Sequence, residues 1–308
     1  MATRNPIVAG VDGTAASGWA PLEWAAREAE RRDRPLRVLY AFEWDRDESR
    51  SAAGSEYVEA VWSAAEAVTA AAVRRARELA PTVAITSVTL IGQPTARLLE
   101  IADDTELMVL GHRGHDGFAG LPLGSVSRRV ATQASCPVVV VRGRAAAGGP
   151  VVAGVGDSPA TEQVLRTAFE AAEDRGCALV AIRSQHPPIP RWNATPRAGD
   201  QRAPDPDAAG RARLEHQLAP WRERHQGVAV ETVITHDSAA SALVGASARA
   251  QLVVVGNRGR GVVRGALLGS AVLQLLQHAH CPVLIARERT SRATPGDAFT
   301  ALPREAGR

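Results

Sequence analysis

The sequence predicts an α/β protein built as two repeated, doubly wound parallel-sheet domains. Three observations carry that prediction. Short, continuously apolar segments alternate with segments of helical period, the pattern of a parallel sheet covered on both faces. The motif G-x2-G-x9-G-S occurs twice, as Gly111, Gly114, Gly124 and Ser125 and again as Gly256, Gly259, Gly269 and Ser270. Each residue of the second set lies 145 positions after its counterpart, which marks a tandem repeat.

In chain order, residues 7–11 read as a first strand and Asp12-Gly13-Thr14 as a tight turn after it. Residues 22–32 have helical period, with Leu22, Ala25, Ala26 and Ala29 on one face. Residues 36–42 form a second strand. Gly54 marks a break before a long helix whose apolar face runs Val58, Val61, Trp62, Ala65, Val68, Ala72, Ala76 and Leu79. Pro81 ends that helix, because proline disfavours helical backbone just before itself. Residues 83–90 alternate as a third strand. Gly92-Gln93-Pro94 then turns the chain into a helix over 96–103, with proline at an acceptable early position. Residues 107–110 are a buried strand, the glycine-rich loop follows, 126–134 form a short helix, and Cys136-Pro137 opens a last strand.

Residues 142–150 are small and read as a flexible linker. The plan then repeats: strands at 151–155, 178–182, 228–234 and 252–255, helices at 160–173, 211–224 and 239–248, then the second glycine loop and Cys281-Pro282. Residues 186–208 carry prolines at 187, 188, 190, 196, 204 and 206, so they read as a surface insert and not a helix. The expected units are a first domain over 1–143, a second over 150–288, and a disordered polar tail over 289–308.

Composition narrows the function. A chain of 308 residues with 45% hydrophobic content is long enough for two folded cores. No apolar run approaches the ~20 residues that span a bilayer, and no signal-peptide core opens the chain, so a cytoplasmic location is expected. Net charge is only +3, which gives no reason to expect nucleic acid or a membrane as partner. All 36 basic residues are arginine. Absence of lysine excludes a Walker A loop and lysine-based catalysis. The three cysteines have no metal-ligand spacing, and Cys136 and Cys281 occupy matched positions that suit small buried residues. No metal site is expected.

The chemistry points to an anion. Gly111 and Gly114, like Gly256 and Gly259, permit backbone angles and close approach that other residues forbid. Gly124-Ser125 and Gly269-Ser270 sit where a helix begins, so unpaired N–H groups and the helix dipole favour a phosphate there. In a doubly wound sheet such a site lies at the strand carboxyl ends, where Asp12, Gly92 and the Gly111 loop all fall. Asp12 reads either as a ligand-binding carboxylate or as a turn residue bonding its own backbone. Arg113 and Arg258 occupy the same place in the two loops, as phosphate partners or as solvated residues. His112 and His115 have no matching pair in the second loop and read as surface residues.

On these two complete motifs the chain resembles the universal stress protein family, in its tandem two-domain form. The resemblance covers nearly the whole chain outside the 186–208 insert and the tail. It implies Rossmann-like domains of the adenine nucleotide alpha hydrolase-like kind, with strand order 3-2-1-4-5. It implies ATP as the ligand, with Mg2+ allowed alongside the nucleotide. Asp12 would hold the base or ribose, with adenine near Gly10 and Ala41. The phosphates would lie on Gly111, Arg113, Gly114, Gly124, Ser125 and Val126. Gly154, Asp157, Gly256, Arg258, Gly259, Gly269, Ser270 and Ala271 are the second unit's counterparts. That unit departs from the pattern: its carboxylate, Asp157, comes one residue later, and Asp237 stands where the first has Gly92. The implied function is a nucleotide-responsive regulator in stress physiology and not an enzyme. A slow ATPase or a nucleotide-free dimerisation scaffold are the alternatives, and self-association into a homodimer is left open.

Overall fold

The computed structural model describes residues 4–13, 19–43, 55–112, 123–185, 207–257 and 268–288, with backbone alone for 55–58. The 186–208 insert, all but its last two residues, and the tail from 289 lie outside them, as do Thr14, Arg113, Gly114, His115, Arg258 and Gly259. The first half runs β1 (Ile7–Val11), α1 (Ala20–Arg31), β2 (Leu36–Phe42), α2 (Ser55–Leu79), β3 (Ile85–Ile91), α3 (Pro94–Glu100), β4 (Leu107–Gly111), α4 (Ser125–Gln133) and β5 (Val138–Val141). The second runs β6 (Val151–Gly154), α5 (Thr161–Glu173), β7 (Leu179–Ser184), α6 (Ala208–Arg224), β8 (Val230–Thr235), α7 (Ala239–Ser247), β9 (Leu252–Gly256), α8 (Ser270–His278) and β10 (Val283–Ala286).

Local sequence explains the elements. In α1, Pro21 starts the helix, and Leu22, Ala25, Ala26 and Ala29 face the sheet, fully buried. The helix stops where Asp33 takes a left-handed conformation (φ 49°), held by Arg4, whose guanidinium donates to the Asp33 carboxylate at 2.6 Å. The segment read as a helix over 96–103 is in fact split. It forms α3 and then a 3-10 turn at Ala102–Asp104, where the Thr105 hydroxyl donates back to the Ile101 carbonyl.

The strand order is β3-β2-β1-β4-β5 in the first half, as the family resemblance implies, and β8-β7-β6-β9-β10 in the second. Pairing inside each half is parallel. The sequence does not announce how the halves meet. Strand β5 pairs antiparallel with β10, Val139 opposite Leu284, and fuses both halves into one ten-stranded sheet. Since the joint is antiparallel, the carboxyl ends of the two halves' strands lie along opposite edges of the sheet. Helices α1, α2, α5 and α6 cover one face, with Ala76, Phe169 and Leu218 among their buried residues. Helices α3, α4, α7 and α8 cover the other, with Leu98, Val130, Leu243 and Leu275. Each fully buried large side chain contributes about 1.5–3 kcal/mol.

The joint is reinforced by arginines. Arg142 donates to the Leu276 carbonyl across the boundary at 2.6 Å, and Arg287, 145 residues on, reaches back to the carbonyls of Ala131 and Ala134. Glu28 on α1 is fully buried and binds Arg31 at 2.5 Å, Arg32 at 2.6 Å and, from the second half, Arg175 at 2.6 Å. Arg175 also lies over the Trp24 ring. Burial alone would raise the Glu28 carboxyl, but the charges of Arg32, Arg175 and Arg31 outweigh it and hold the group below its ordinary value. Burial opposes the Arg175 charge, yet a guanidinium is basic enough to stay protonated. Beside this cluster an open groove of about 450 Å³ is lined by Arg32, Arg166 and Arg287 against Glu106, Glu170 and Glu288. Its charges balance, so it favours neither anion nor cation.

The 142–150 linker is not a loose tether. Arg144 N–H donates to the His280 carbonyl at 2.9 Å and Ala146 N–H to the Ala250 carbonyl at 3.1 Å. Gly143 takes φ 57°, and a Cβ there would sit 2.0 Å from the His280 carbonyl oxygen, which is why glycine is needed. Small residues that read as flexible are here the residues that fit against the second half.

The Glu28 cluster generates a test. Glu28→Gln leaves three guanidinium groups, that of Arg175 almost wholly covered, without their carboxylate and is expected to cost about 3–5 kcal/mol in chemical denaturation at neutral pH. The folded state favours the ionised carboxylate, so its contribution is full above the ordinary glutamate value of ~4.3 and fades as pH falls below it. The gap between parent and variant therefore narrows in acid. A gap that is absent at neutral pH, or that widens in acid, would contradict this assignment.

Candidate functional site

The carboxyl ends of β1, β2 and β4 meet at one edge of the first half. Gly10, near the end of β1, packs so closely that a Cβ would lie 2.6 Å from Leu110 Cδ2, with Leu98 also in contact range. Its small size is thus required by the core beneath the site. Asp12 follows β1, half-buried, and Gly13 turns the chain with φ 75°. Tyr40 of β2 lies against that turn: a Cβ at Gly13 would be 3.2 Å from the Tyr40 hydroxyl. Burial, and then the charge of Asp12, raise the Tyr40 phenol, so it is a hydrogen-bond donor at neutral pH. Tyr40 stacks on Phe42 with ring centroids 5.8 Å apart, and Phe42 meets Trp62 of α2 at 6.2 Å. Trp62 is on the apolar face expected of its helix, and the structure adds Tyr40 and Phe42 beside it. Their clustering at the end of one strand, in a chain only 4% aromatic, was the available signal.

The glycine-rich loop leaves β4 at Gly111 and returns at Gly124. The Gly124 N–H donates to the His112 carbonyl at 2.8 Å and closes the base of the loop. His112 N–H bonds the Val141 carbonyl, so His112 belongs to the strand-end scaffold. The Ser127 hydroxyl donates to the Gly111 carbonyl at 2.6 Å and pins α4 to the end of β4. Gly124, in extended conformation, is the N-cap of α4, and no side chain caps it. The first-turn N–H groups of Ser125, Val126 and Ser127 therefore have no intrahelical acceptor, and the positive end of the dipole lies beside them. Ser125 is exposed as the first helical residue. At the neighbouring turn Gly92 has φ 126° and donates its N–H to the Phe42 carbonyl at 2.9 Å.

The second half reproduces the scaffold and changes the polar lining. Gly154 packs on Leu243 and Val255, the counterparts of Leu98 and Leu110. Gly269 is an uncapped, extended N-cap for α8, with exposed Ser270 first in the helix and Ala271 next. The turn after β6 differs. Asp157 is bound by Arg183 at 2.6 Å and by Arg213 at 3.4 Å. The Gly156 carbonyl accepts from Gln217 at 3.1 Å and from the Thr161 hydroxyl at 2.9 Å. Asp237, exposed, does not take the positive φ of Gly92; Thr235 Oγ1 accepts from its N–H and Ser184 donates to its carbonyl. Burial pushes the Cys136 and Cys281 thiols up to about 12, which fits small core residues and not reactive ones. Among the described residues no cluster of His, Cys, Asp or Glu could hold a metal ion, and no helix is long and apolar enough to cross a membrane.

Fold and site define a tandem Rossmann-like protein with an uncapped helix start at the strand ends of each half. The chain belongs to the universal stress protein family, whose sequence pattern matches residues 3–142 and again 149–287. A universal stress protein of Mycobacterium tuberculosis is 33% identical over 301 residues, covering 92% of this chain and 98% of its own length. One of Mycolicibacterium smegmatis is 33% identical over 310 residues, covering 94% and 99%. The crystal structure of a universal stress protein from Archaeoglobus fulgidus shares the fold at 17% identity, with a TM-score of 0.69 over 93% of this chain and 99% of that one.

The packing under the site gives a second test. Gly10→Val forces a branched side chain against Leu110 and Leu98 and is expected to lower stability by about 1–3 kcal/mol. Urea denaturation of the full chain reads this directly. An unchanged midpoint would mean that the two leucines yield and that the glycine is not needed for packing.

Proposed function

We propose that this chain is an ATP-binding universal stress protein, cytoplasmic, whose nucleotide occupancy regulates a stress response. The observation that carries the reading is one edge of the first half, where Asp12, the closed base of the Gly111–Gly124 loop and the uncapped start of α4 converge. A carboxylate there suits the hydroxyls of a ribose or the amino group of a base. Backbone N–H groups at a helix start suit phosphate oxygens. The residues fit the ligand: Ser125 and Val126, with the loop residues Gly111, Arg113 and Gly114, would receive the phosphates, and Asp12 the nucleoside. Mg2+ would come with the nucleotide. The same motif supports phosphate binding on Gly256, Arg258, Gly259, Gly269, Ser270 and Ala271 in the second half.

Binding without fast turnover is the better reading. Tyr40, which lies against the turn, is held protonated and is no general base at neutral pH. The chain has no lysine to stabilise charge on a transferring phosphoryl group.

Calorimetry on the full chain tests this. ATP is expected to bind, and Asp12→Ala to weaken the tighter site about tenfold or more, since charge-assisted hydrogen bonds are worth roughly 1.5–3 kcal/mol. Gly114→Val is expected to weaken the same site by blocking approach to the backbone. With Mg2+ present, hydrolysis should stay well under the ~10 per second of a typical enzyme. No ATP binding would sink the proposal, and brisk turnover abolished by one loop substitution would favour an ATPase.

A further inference from the structure

Matched pairing registers let the two halves be compared position by position. Tyr40 is the fifth residue of β2 and pairs with Thr89; Arg183 is the fifth residue of β7 and pairs with Ile234, 145 positions after Thr89. Arg183 thus stands where the first half has Tyr40. Helices α2 and α6 end at Leu79 and Arg224, again 145 apart. Arg213 and Gln217 therefore stand where the first half has Val68 and buried Ala72. In the β1 and β6 turns, Gly156 stands at the place of Asp12 and Asp157 at that of Gly13.

These exchanges form one device. A side chain placed at Gly13 would meet Tyr40. Asp157, in that place, meets Arg183 at 2.6 Å, with the arginine side chain 7% exposed. Arg213 holds the other carboxylate oxygen at 3.4 Å, and Gln217, one helical turn on, holds the Gly156 carbonyl at 3.1 Å. Two residues of α6 and one of β7 thus lock the turn. Asp157 is turned toward β7 and its charge is matched, while Gly156, at the position of Asp12, offers no side chain. The helix start at Gly269-Ser270 carries none of these changes.

We infer that Arg183 makes the second half a phosphate-only site, one that takes a polyphosphate chain at the Gly269–Ser270 helix start without discriminating the nucleoside attached to it. Arg183 acts as a specificity-determining residue by holding Asp157 away from a nucleoside. This rests on the proposed nucleotide binding and adds that the two halves read different parts of the ligand.

The test uses the full chain with its first site disabled by Asp12→Ala and Gly114→Val, titrated with ATP and with inorganic tripolyphosphate. The two ligands are expected to bind within about threefold of each other, since phosphate contacts alone are shared. Adding Gly156→Asp, Asp157→Gly and Arg183→Tyr, which transplants the first half's turn, is expected to raise ATP affinity about tenfold and leave tripolyphosphate unchanged. ATP bound more than tenfold tighter than tripolyphosphate before the transplant would overturn the inference. That comparison needs no change at Arg183, so it stands even if the transplant does not fold. Equal gains for both ligands, or none in a folded transplant, would also overturn it. Failure of the unsubstituted chain to bind ATP at all would instead overturn the nucleotide reading beneath it.

Discussion

Everything in this molecule is arranged about the antiparallel pairing of β5 with β10. Two four-residue strands, both wholly buried, turn two parallel half-sheets into one. The pairing satisfies backbone groups at the joint, and the arginines at 142 and 287 supply further donors to carbonyls across it. The Glu28–Arg175 contact adds a charged clamp on one side alone, because the position matching Glu28 in the second half is Ala171. Such a clamp is costly to break and not obviously stabilising relative to an apolar pair. It ties α1 to the second half at one point, with Arg175 also lying over the Trp24 ring.

The joint also decides what the two sites can be to each other. The strand ends of the two halves face opposite edges of the sheet, so among the described residues the strand-end turns of one half lie away from those of the other. Each was free to change without disturbing its partner's scaffold. The packing glycines, the aliphatic side chains above them and the uncapped helix starts recur in both halves. Among the described residues the polar differences lie in the turn after the first strand, in the helix and strand that meet it, and at Asp237, where the first half has Gly92.

Much of this was legible in the sequence. Continuous apolar runs gave the strands, and the doubled glycine motif gave both loop positions, because a close backbone approach leaves a glycine signature that burial patterns do not mimic. The shifted carboxylate at Asp157 was also visible. What was not visible depends on contacts between residues distant in the chain. An apolar strand such as Val138–Val141 does not encode its neighbour, so the β5–β10 joint had no local signal. Arg183 sits in an otherwise apolar strand, a misfit in LVAIRS that marked something unusual, but its partner lies 26 residues away and could not be named. Gly10 and Gly154 also have a packing role that the sequence does not show: a Cβ at either would meet core side chains. Small residues in the linker looked loose for the same reason: smallness serves flexibility and tight fit alike.

The central claim is that one half completes a nucleotide site and the other keeps only its phosphate end. Amide hydrogen exchange on the full chain, with and without saturating ATP, tests it most directly. Protection is expected in peptides covering Asp12–Gly13 and Gly111–Ser127, and in the second half over Gly256–Val272, with the Gly156–Ser158 turn unchanged. Equal protection of the turns after β1 and β6 would contradict the account, since it would place a nucleoside against Asp157 despite its pairing with Arg183.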